Sequence, residues 1–128
     1  MADYREISQQ YAQGGIKAVI LLNGGAAIAL LSQAAGLLSI GLIDEVILPM
    51  VLWATGTTLG GATWVLAFLS TRYVDKSEQE RPAVRAHLQT SDRYMASALI
   101  LIALSLASFA AGCFALALGF ARHGGAPT

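Results

Sequence analysis

The sequence predicts an all-α integral membrane protein: a three-helix bundle with a short N-terminal amphipathic helix and a helical cytoplasmic loop between spans 2 and 3. Two observations predict this fold class. The 128-residue chain is 55% hydrophobic and only 12% charged, about half the charged fraction of soluble domains. Three runs, 18–43, 46–71 and 94–121, contain no charged residue, and each exceeds the roughly 20 residues that a helix needs to cross a bilayer.

The N-terminal 15 residues are more polar than the rest and carry an apolar stripe. Tyr4, Ile7 and Tyr11 fall on one face of a helix, which predicts a short helix lying in the membrane interface. Gly14 and Gly15 follow, and because glycine adopts turn conformations easily, we expect the chain to turn into the membrane there.

The boundaries of the remaining segments follow from the charged residues and turn-forming residues between the apolar runs. The whole chain is one membrane domain, 1–128. The C-terminal segment is short, polar and glycine-rich, and we expect it to be disordered. The segments are 1–15 as the interfacial helix, 18–40 as span 1, 46–70 as span 2, 72–93 as the cytoplasmic loop, 94–120 as span 3 and 121–128 as the tail.

Lysine and arginine are distributed very unevenly about the three spans. In a three-span chain the N-terminal segment and the 72–93 loop lie on the same side, and together they hold seven of the eight Lys and Arg residues. Positive charge is retained on the cytoplasmic side of membranes. The sequence therefore predicts a multi-pass protein with a cytoplasmic N-terminus and the C-terminus outside.

Reactive side chains are absent from the three spans. No Asp, Glu, Lys, Arg or His lies within them, although proton relays and ion-coupled transport depend on such groups. His87 and His123 have no partners at metal-ligand spacing, and the single Cys113 is expected to be a packed apolar residue. With a formal net charge of zero, nucleic acid is not an expected partner. We predict a non-enzymatic protein with no metal and no cofactor.

Uncharged polar residues mark the middle of each run when the run is centred on the bilayer. They are Gln33, Thr57, Thr58, Ser105 and Ser108. One interpretation is a set of interhelical hydrogen bonds, each worth about 0.6–2 kcal/mol; the other is a pore lining or a ligand site. Asn23 lies nearer the cytoplasmic side, where we expect it to bond to a neighbouring helix or a headgroup.

Small residues form regular faces on all three spans, and such faces let helices approach closely. In span 3 the spacing alternates between three and four residues, a heptad pattern that predicts left-handed crossing. These faces offer more contact than one bundle uses, so we expect some to meet other copies or another protein. The packing seam comprises Gly24 and Gly25 in span 1, Gly56, Gly60 and Gly61 in span 2, and Ala98, Leu101, Ser105, Ser108, Gly112, Ala115 and Gly119 in span 3.

Trp53 and Trp64 are eleven residues apart and share one face of the second helix. Because tryptophan is enriched at both membrane interfaces, we expect a lipid-facing pair near the two surfaces. A docking surface for a partner subunit is the alternative.

The stretch 21–31, which reads Leu-Leu-Asn-Gly-Gly-Ala-Ala-Ile-Ala-Leu-Leu and follows a helix containing Tyr and Gln, resembles small bacterial three-span membrane proteins of uncharacterised function. Asn23-Gly24-Gly25-Ala26 is its distinctive part. The resemblance implies the three-span architecture and no activity. Separately, we expect the protein in a bacterial inner membrane.

Three functions remain open at the level of sequence. The first is a structural or accessory protein that self-associates or joins a larger inner-membrane complex through its small-residue faces. The second is an oligomeric pore or membrane-disrupting effector of the phage-defence or lysis type, for which the polar layer is the motive. The third is a module that binds a small molecule or lipid, with the 72–93 loop as its sensor.

Overall fold

The computed structural model describes residues 4–79 and 84–124, and every secondary-structure element in them is an α-helix. The predicted all-helical fold class is thus confirmed for this part of the chain. Three segments are long and apolar enough to cross a membrane: Gln9–Ser32, Ile43–Lys76 and Val84–His123. The helices are α1 (Tyr4–Ser32), α2 (Ala34–Ser39), α3 (Ile43–Gln79) and α4 (Val84–Gly124).

The outer surface is more apolar than that of a water-soluble protein, and several polar side chains lie in the core beside apolar ones. Large apolar side chains such as Leu21, Ile28 and Phe114 are 73%, 69% and 72% exposed. Asn23, Thr63 and Ser105 are completely buried. Since exposed apolar patches this extensive are rare on soluble monomers, the outer surface is suited to an apolar surrounding.

The core follows a seven-residue repeat on both α3 and α4. Such a repeat keeps one stripe of a helix facing its partner and gives left-handed, coiled-coil-like packing. Most members are small, which lets the two helices lie close together. The buried positions of this repeat are Pro49, Gly56, Thr63 and Ser70 on α3, and Ser91, Ala98, Ser105, Gly112 and Gly119 on α4; Val46, Trp53 and Gly60 form a second buried row on α3 at the same spacing.

The first span ends in two steps. At Gln33 the regular α-helical bonding gives way to a tighter bond, from the Gln33 N–H to the Leu30 carbonyl (3.1 Å), and α2 adds six residues. Gly41 then adopts a φ of +74°. The N–H of Leu42 bonds to Leu37 O (2.9 Å) and that of Gly41 to Leu38 O (3.2 Å), which is the Schellman arrangement that closes a helix at a left-handed glycine.

The structure differs from the expected turn at Gly14 and Gly15, because α1 runs through both without a break. The glycines permit a turn, but the helical bonds on either side continue across them. On the expected apolar stripe, Ile7 and Tyr11 are 37% and 78% exposed; the Tyr4 side chain lies outside the described residues.

In the described residues, the polar segments on either side of the third span are continuous with the long helices. α3 extends to Gln79 and α4 begins at Val84, so the described part of the 72–93 loop is a continuation of the two long helices. α4 also continues to Gly124, where Arg122 and His123 complement the negative end of the helix. The expected disorder of residues 121–124 is therefore wrong, and residues 125–128 lie outside the described residues.

Candidate functional site

The centre of the bundle is a polar knot built around Asn23 of α1. Its Nδ2 donates to Val19 O (3.0 Å) on its own helix and to both Ser105 O (3.1 Å) and Ser105 Oγ (3.2 Å) on α4. The Ser105 hydroxyl in turn donates to Gly56 O (2.8 Å) on α3. The Asn23 amide and the Ser105 hydroxyl together thus join all three long helices.

The side-chain oxygen of Asn23, Oδ1, lies so close to α3 that residue 56 must be a glycine. Asn23 Oδ1 is buried and receives no hydrogen bond from the described residues. Two carbonyl oxygens face Nδ2, so exchanging the two amide atoms would set oxygen against oxygen. A Cβ added at Gly56 would lie 2.2 Å from Oδ1, so only glycine allows this approach.

Trp53 lies in the interface between α3 and α4. Its indole Nε1 donates to Phe109 O (3.1 Å), and a Cβ on Gly112 would come within 2.3 Å of that nitrogen. Trp53 is 4% exposed and Trp64 is 41% exposed. The expectation that Trp53 faces lipid is wrong, because Gly112 leaves space for the ring and Phe109 supplies an acceptor.

The two ends of the α3–α4 pair are joined by different chemistry. At one end Gly119 packs against Glu45, whose Oε1 lies 3.6 Å from Nδ1 of His123. At the other end Ser70 and Ser91 form a buried clasp, with their hydroxyls 2.9 Å apart and each hydroxyl within reach of the other residue's carbonyl. Polar contacts therefore accompany the helix pair along its whole length.

The predicted polar layer does not assemble as one layer. Gln33 is exposed and lines an open groove of about 580 Å³ together with Leu37, Leu116 and Phe120. Thr58 is exposed and its hydroxyl bonds to Ala54 O on its own helix (3.0 Å).

The other three predicted residues lie on or near the helix contacts. Thr57 bonds to Trp53 O (3.0 Å) on its own helix. Ser105 is part of the knot, and Ser108 donates to Leu52 O on α3. Asn23 occupies the place at the centre that the sequence assigned to Gln33.

The predicted packing seam divides into internal and outward-facing positions. A Cβ at Gly60 would meet Ile20 Cγ1 at 2.8 Å, and one at Gly24 would make an ordinary contact with Thr57 at 3.7 Å. Nothing lies within 4 Å of a Cβ at Gly25 or Gly61. Most of the seam therefore serves contacts within the chain. Besides Gly24 and Gly60, the internal positions are Gly56, Gly112, Gly119, Ser105, Ser108 and the half-buried Ala115.

One outward face of α3 combines only small residues across two turns. Ala54, Thr58, Gly61 and Ala62 are all exposed and fall at i, i+4, i+7 and i+8, which is one side of a helix. We call these four residues the α3 outer face. The corresponding outer side of α1 is rougher, since Leu21 and Ile28 project beside Gly25.

The sequence interpretation missed the serine clasp and the burial of Trp53. A signal for the clasp exists: Ser91 is seven residues before Ala98, so the span 3 repeat extends to it. Cys113, expected to be packed, is exposed, because it follows Gly112 and the seam passes through the glycine. Within residues 4–79 and 84–124, no three His, Cys, Asp or Glu side chains come together where they would hold a metal ion.

The chain was compared with protein-family models, with curated proteins and with solved structures. No family model matches it, and no curated protein or solved structure matches it either.

Proposed function

We propose that the protein is a non-enzymatic, multi-pass membrane protein that acts as a self-associating or accessory subunit of a membrane assembly. The observation that carries the proposal is the exposure of the α3 outer face. The other two glycines of α3, Gly56 and Gly60, pack against α1, whereas nothing lies within 4 Å of a Cβ at Gly61. In lipid, helices associate chiefly through close packing at small residues.

The membrane setting is supported by the apolar exterior and by the three spans. Leu21, Ile28 and Phe114 would be costly to hydrate but are matched by lipid chains. The excess of Lys and Arg at the N-terminal segment and the 72–93 loop supports a cytoplasmic N-terminus and an outer C-terminus. The inner membrane of a bacterium is part of the proposal.

The α3 outer face is suited to a helix and poorly suited to a polar ligand. The Thr58 hydroxyl is already bonded to its own helix, and no charged side chain lies between Val46 and Thr71. A second helix placed there would approach over two turns without meeting a large side chain. Trp64, 41% exposed on α3, is one turn beyond Gly61 and is placed to border such a contact.

A pore has weaker support than a packing subunit. The pore was suggested by a shared polar layer, but the Asn23 Nδ2 and the Ser105 hydroxyl donate their hydrogen bonds inside the bundle, to Ser105 and Gly56. Gln33 is away from them at the junction of α1 and α2.

The test measures association in liposomes by energy transfer between two differently labelled samples of the full chain, as protein is diluted in lipid. Gly61→Leu adds a large side chain to the α3 outer face, and we expect association at least about tenfold weaker, as for a central interface position. Gly25→Leu is the matched control on the outer side of α1 and should associate like the native chain.

Native mass measurement in mild detergent tests whether the native chain is instead a monomer without a partner protein. A native chain that is monomeric in both assays, and that copurifies with no other membrane protein, would overturn the proposal. Equal weakening by both substitutions would show that the α3 outer face is not the contact.

A further inference from the structure

A basic groove lies on α3 just beyond its charge-free run. The cavity is open, has a volume of about 260 Å³, and is lined by Leu69, Arg72, Tyr73 and Lys76. These residues follow one another at i, i+3, i+4 and i+7, so a single helix face forms the groove. The run without charge on α3 ends at Thr71, which places the groove at the level of lipid headgroups.

Both cations are held against aromatic rings of the preceding turn. The Arg72 guanidinium lies 5.8 Å from the centre of the Phe68 ring, and Lys76 Nζ lies 5.5 Å from that of Tyr73. Tyr73 is itself fixed by stacking on Tyr94 of α4 at 5.5 Å. The positive charges are therefore positioned before any ligand binds.

Because of the direction in which α3 runs, the Arg72 and Lys76 side chains lean toward the membrane. Side chains on an α-helix lean toward its N-terminus, and the charge-free run 46–71 lies on the N-terminal side of Arg72 and Lys76. On α4 the polar end is the N-terminal end, so Arg85 and Arg93 lean away from the apolar region. Asp75 does not line the groove, and no ion pair joins Arg72 or Lys76 to a carboxylate among the side chains that the structure describes.

We propose that the Arg72–Tyr73–Lys76 groove binds the phosphate headgroup of an anionic phospholipid. The volume is below the about 300–1,000 Å³ of sites that enclose a small molecule, which fits a headgroup whose acyl chains remain in the bilayer along Leu69. Anionic lipids attract cations at the membrane surface. The proposal rests on the membrane insertion in the proposed function and is independent of the α3 outer face.

The test titrates the delipidated full chain in mild detergent with phosphatidylglycerol or phosphatidylcholine of identical acyl chains, and counts bound lipid by native mass spectrometry. We expect phosphatidylglycerol to bind more tightly. At roughly fivefold for each cation, the double variant Arg72→Gln/Lys76→Gln should weaken its binding about 25-fold and leave phosphatidylcholine unchanged.

Arg85→Gln/Arg93→Gln is the matched control, because it removes the same charge at the same end of the bundle. The serine clasp fixes the register: Lys76 is six residues after Ser70 and Arg85 six before Ser91, so the two are level. This variant should bind phosphatidylglycerol within about twofold of the native chain.

Each contrary outcome overturns the proposal in a recognisable way. Equal loss in the two double variants would mean diffuse surface charge, and equal binding of the two lipids would mean no headgroup selection. Displacement of the lipid by millimolar inorganic phosphate would indicate a site for free phosphate. Gly61→Leu should bind lipid like the native chain, so failure of the association proposal remains distinguishable from failure of this one.

Discussion

The α3–α4 pair and α1 are held in the bundle by different means. α3 and α4 meet at the Ser70–Ser91 clasp, at Trp53 and again at Glu45, with small residues between these points. Among the side chains that the structure describes, α1 has one polar attachment to its neighbours, at Asn23, and it ends at the Gln33 break. The pair should therefore be sensitive to added volume along its length. α1 also packs closely, at Gly56 and Gly60 of α3, but its polar attachment should be lost with a single amide.

The largest loss of stability is expected from adding one methyl group in the middle of the α3–α4 interface. Gly112→Ala places a Cβ 2.3 Å from the Trp53 nitrogen, so the rigid indole must move and lose its bond to Phe109. Overpacking costs about 1–3 kcal/mol and the lost hydrogen bond about 1 kcal/mol more. Unfolding by SDS titration, followed by tryptophan fluorescence, measures the loss.

Gly61→Ala is the control for this prediction. A Cβ there meets nothing within 4 Å, and alanine favours a helix over glycine by up to about 1 kcal/mol. We expect this variant to be as stable as the native chain or slightly more so. If the two alanine variants were equally stable, close packing at Gly112 would not be what holds α3 to α4.

The second effect concerns α1 alone. Asn23→Ala removes the donor to Val19 and Ser105, and we expect a loss of about 1–3 kcal/mol. Amide hydrogen exchange should rise along residues 16–32 while α3 and α4 remain protected, because α1 detaches first. Ser32→Ala, whose hydroxyl bonds only to its own helix, should change nothing. A uniform rise over all three helices would contradict the division between α1 and the pair.

Much of this architecture is predictable because it depends on local patterns. The charge-free runs identify the three long helices, and the heptad of small residues identifies the side of α4 that contains Ser105 and Gly112. Such patterns depend only on composition and on 3.6 residues per turn.

The register between helices is not predictable in the same way. Centring each apolar run on the bilayer puts Gln33 at the middle, but the bundle aligns Asn23 with Gly56 and Ser105. That alignment follows from the fit of one amide against one glycine. The burial of Trp53 likewise depends on a gap opposite it at Gly112, which only the paired helices reveal.

The smallest loss of stability is expected at the Ser70–Ser91 clasp. Combining it with a change at Asn23 tests whether α1 and the α3–α4 pair are independent. Ser70→Ala and Ser91→Ala each remove part of the clasp, and their double-mutant cycle should give a coupling of about 0.6–1.7 kcal/mol, as for other interhelical hydrogen bonds in membranes. By the register of the knot and the clasp, Asn23 is level with Gly56, fourteen residues or about 21 Å from Ser70 along α3. Combining Ser70→Ala with Asn23→Ala should therefore give additive losses within about 0.5 kcal/mol. A coupling as large as that of the serine pair would mean that α1 and the far end of α3–α4 unfold as one unit, since distant sites couple only through a shared structural change.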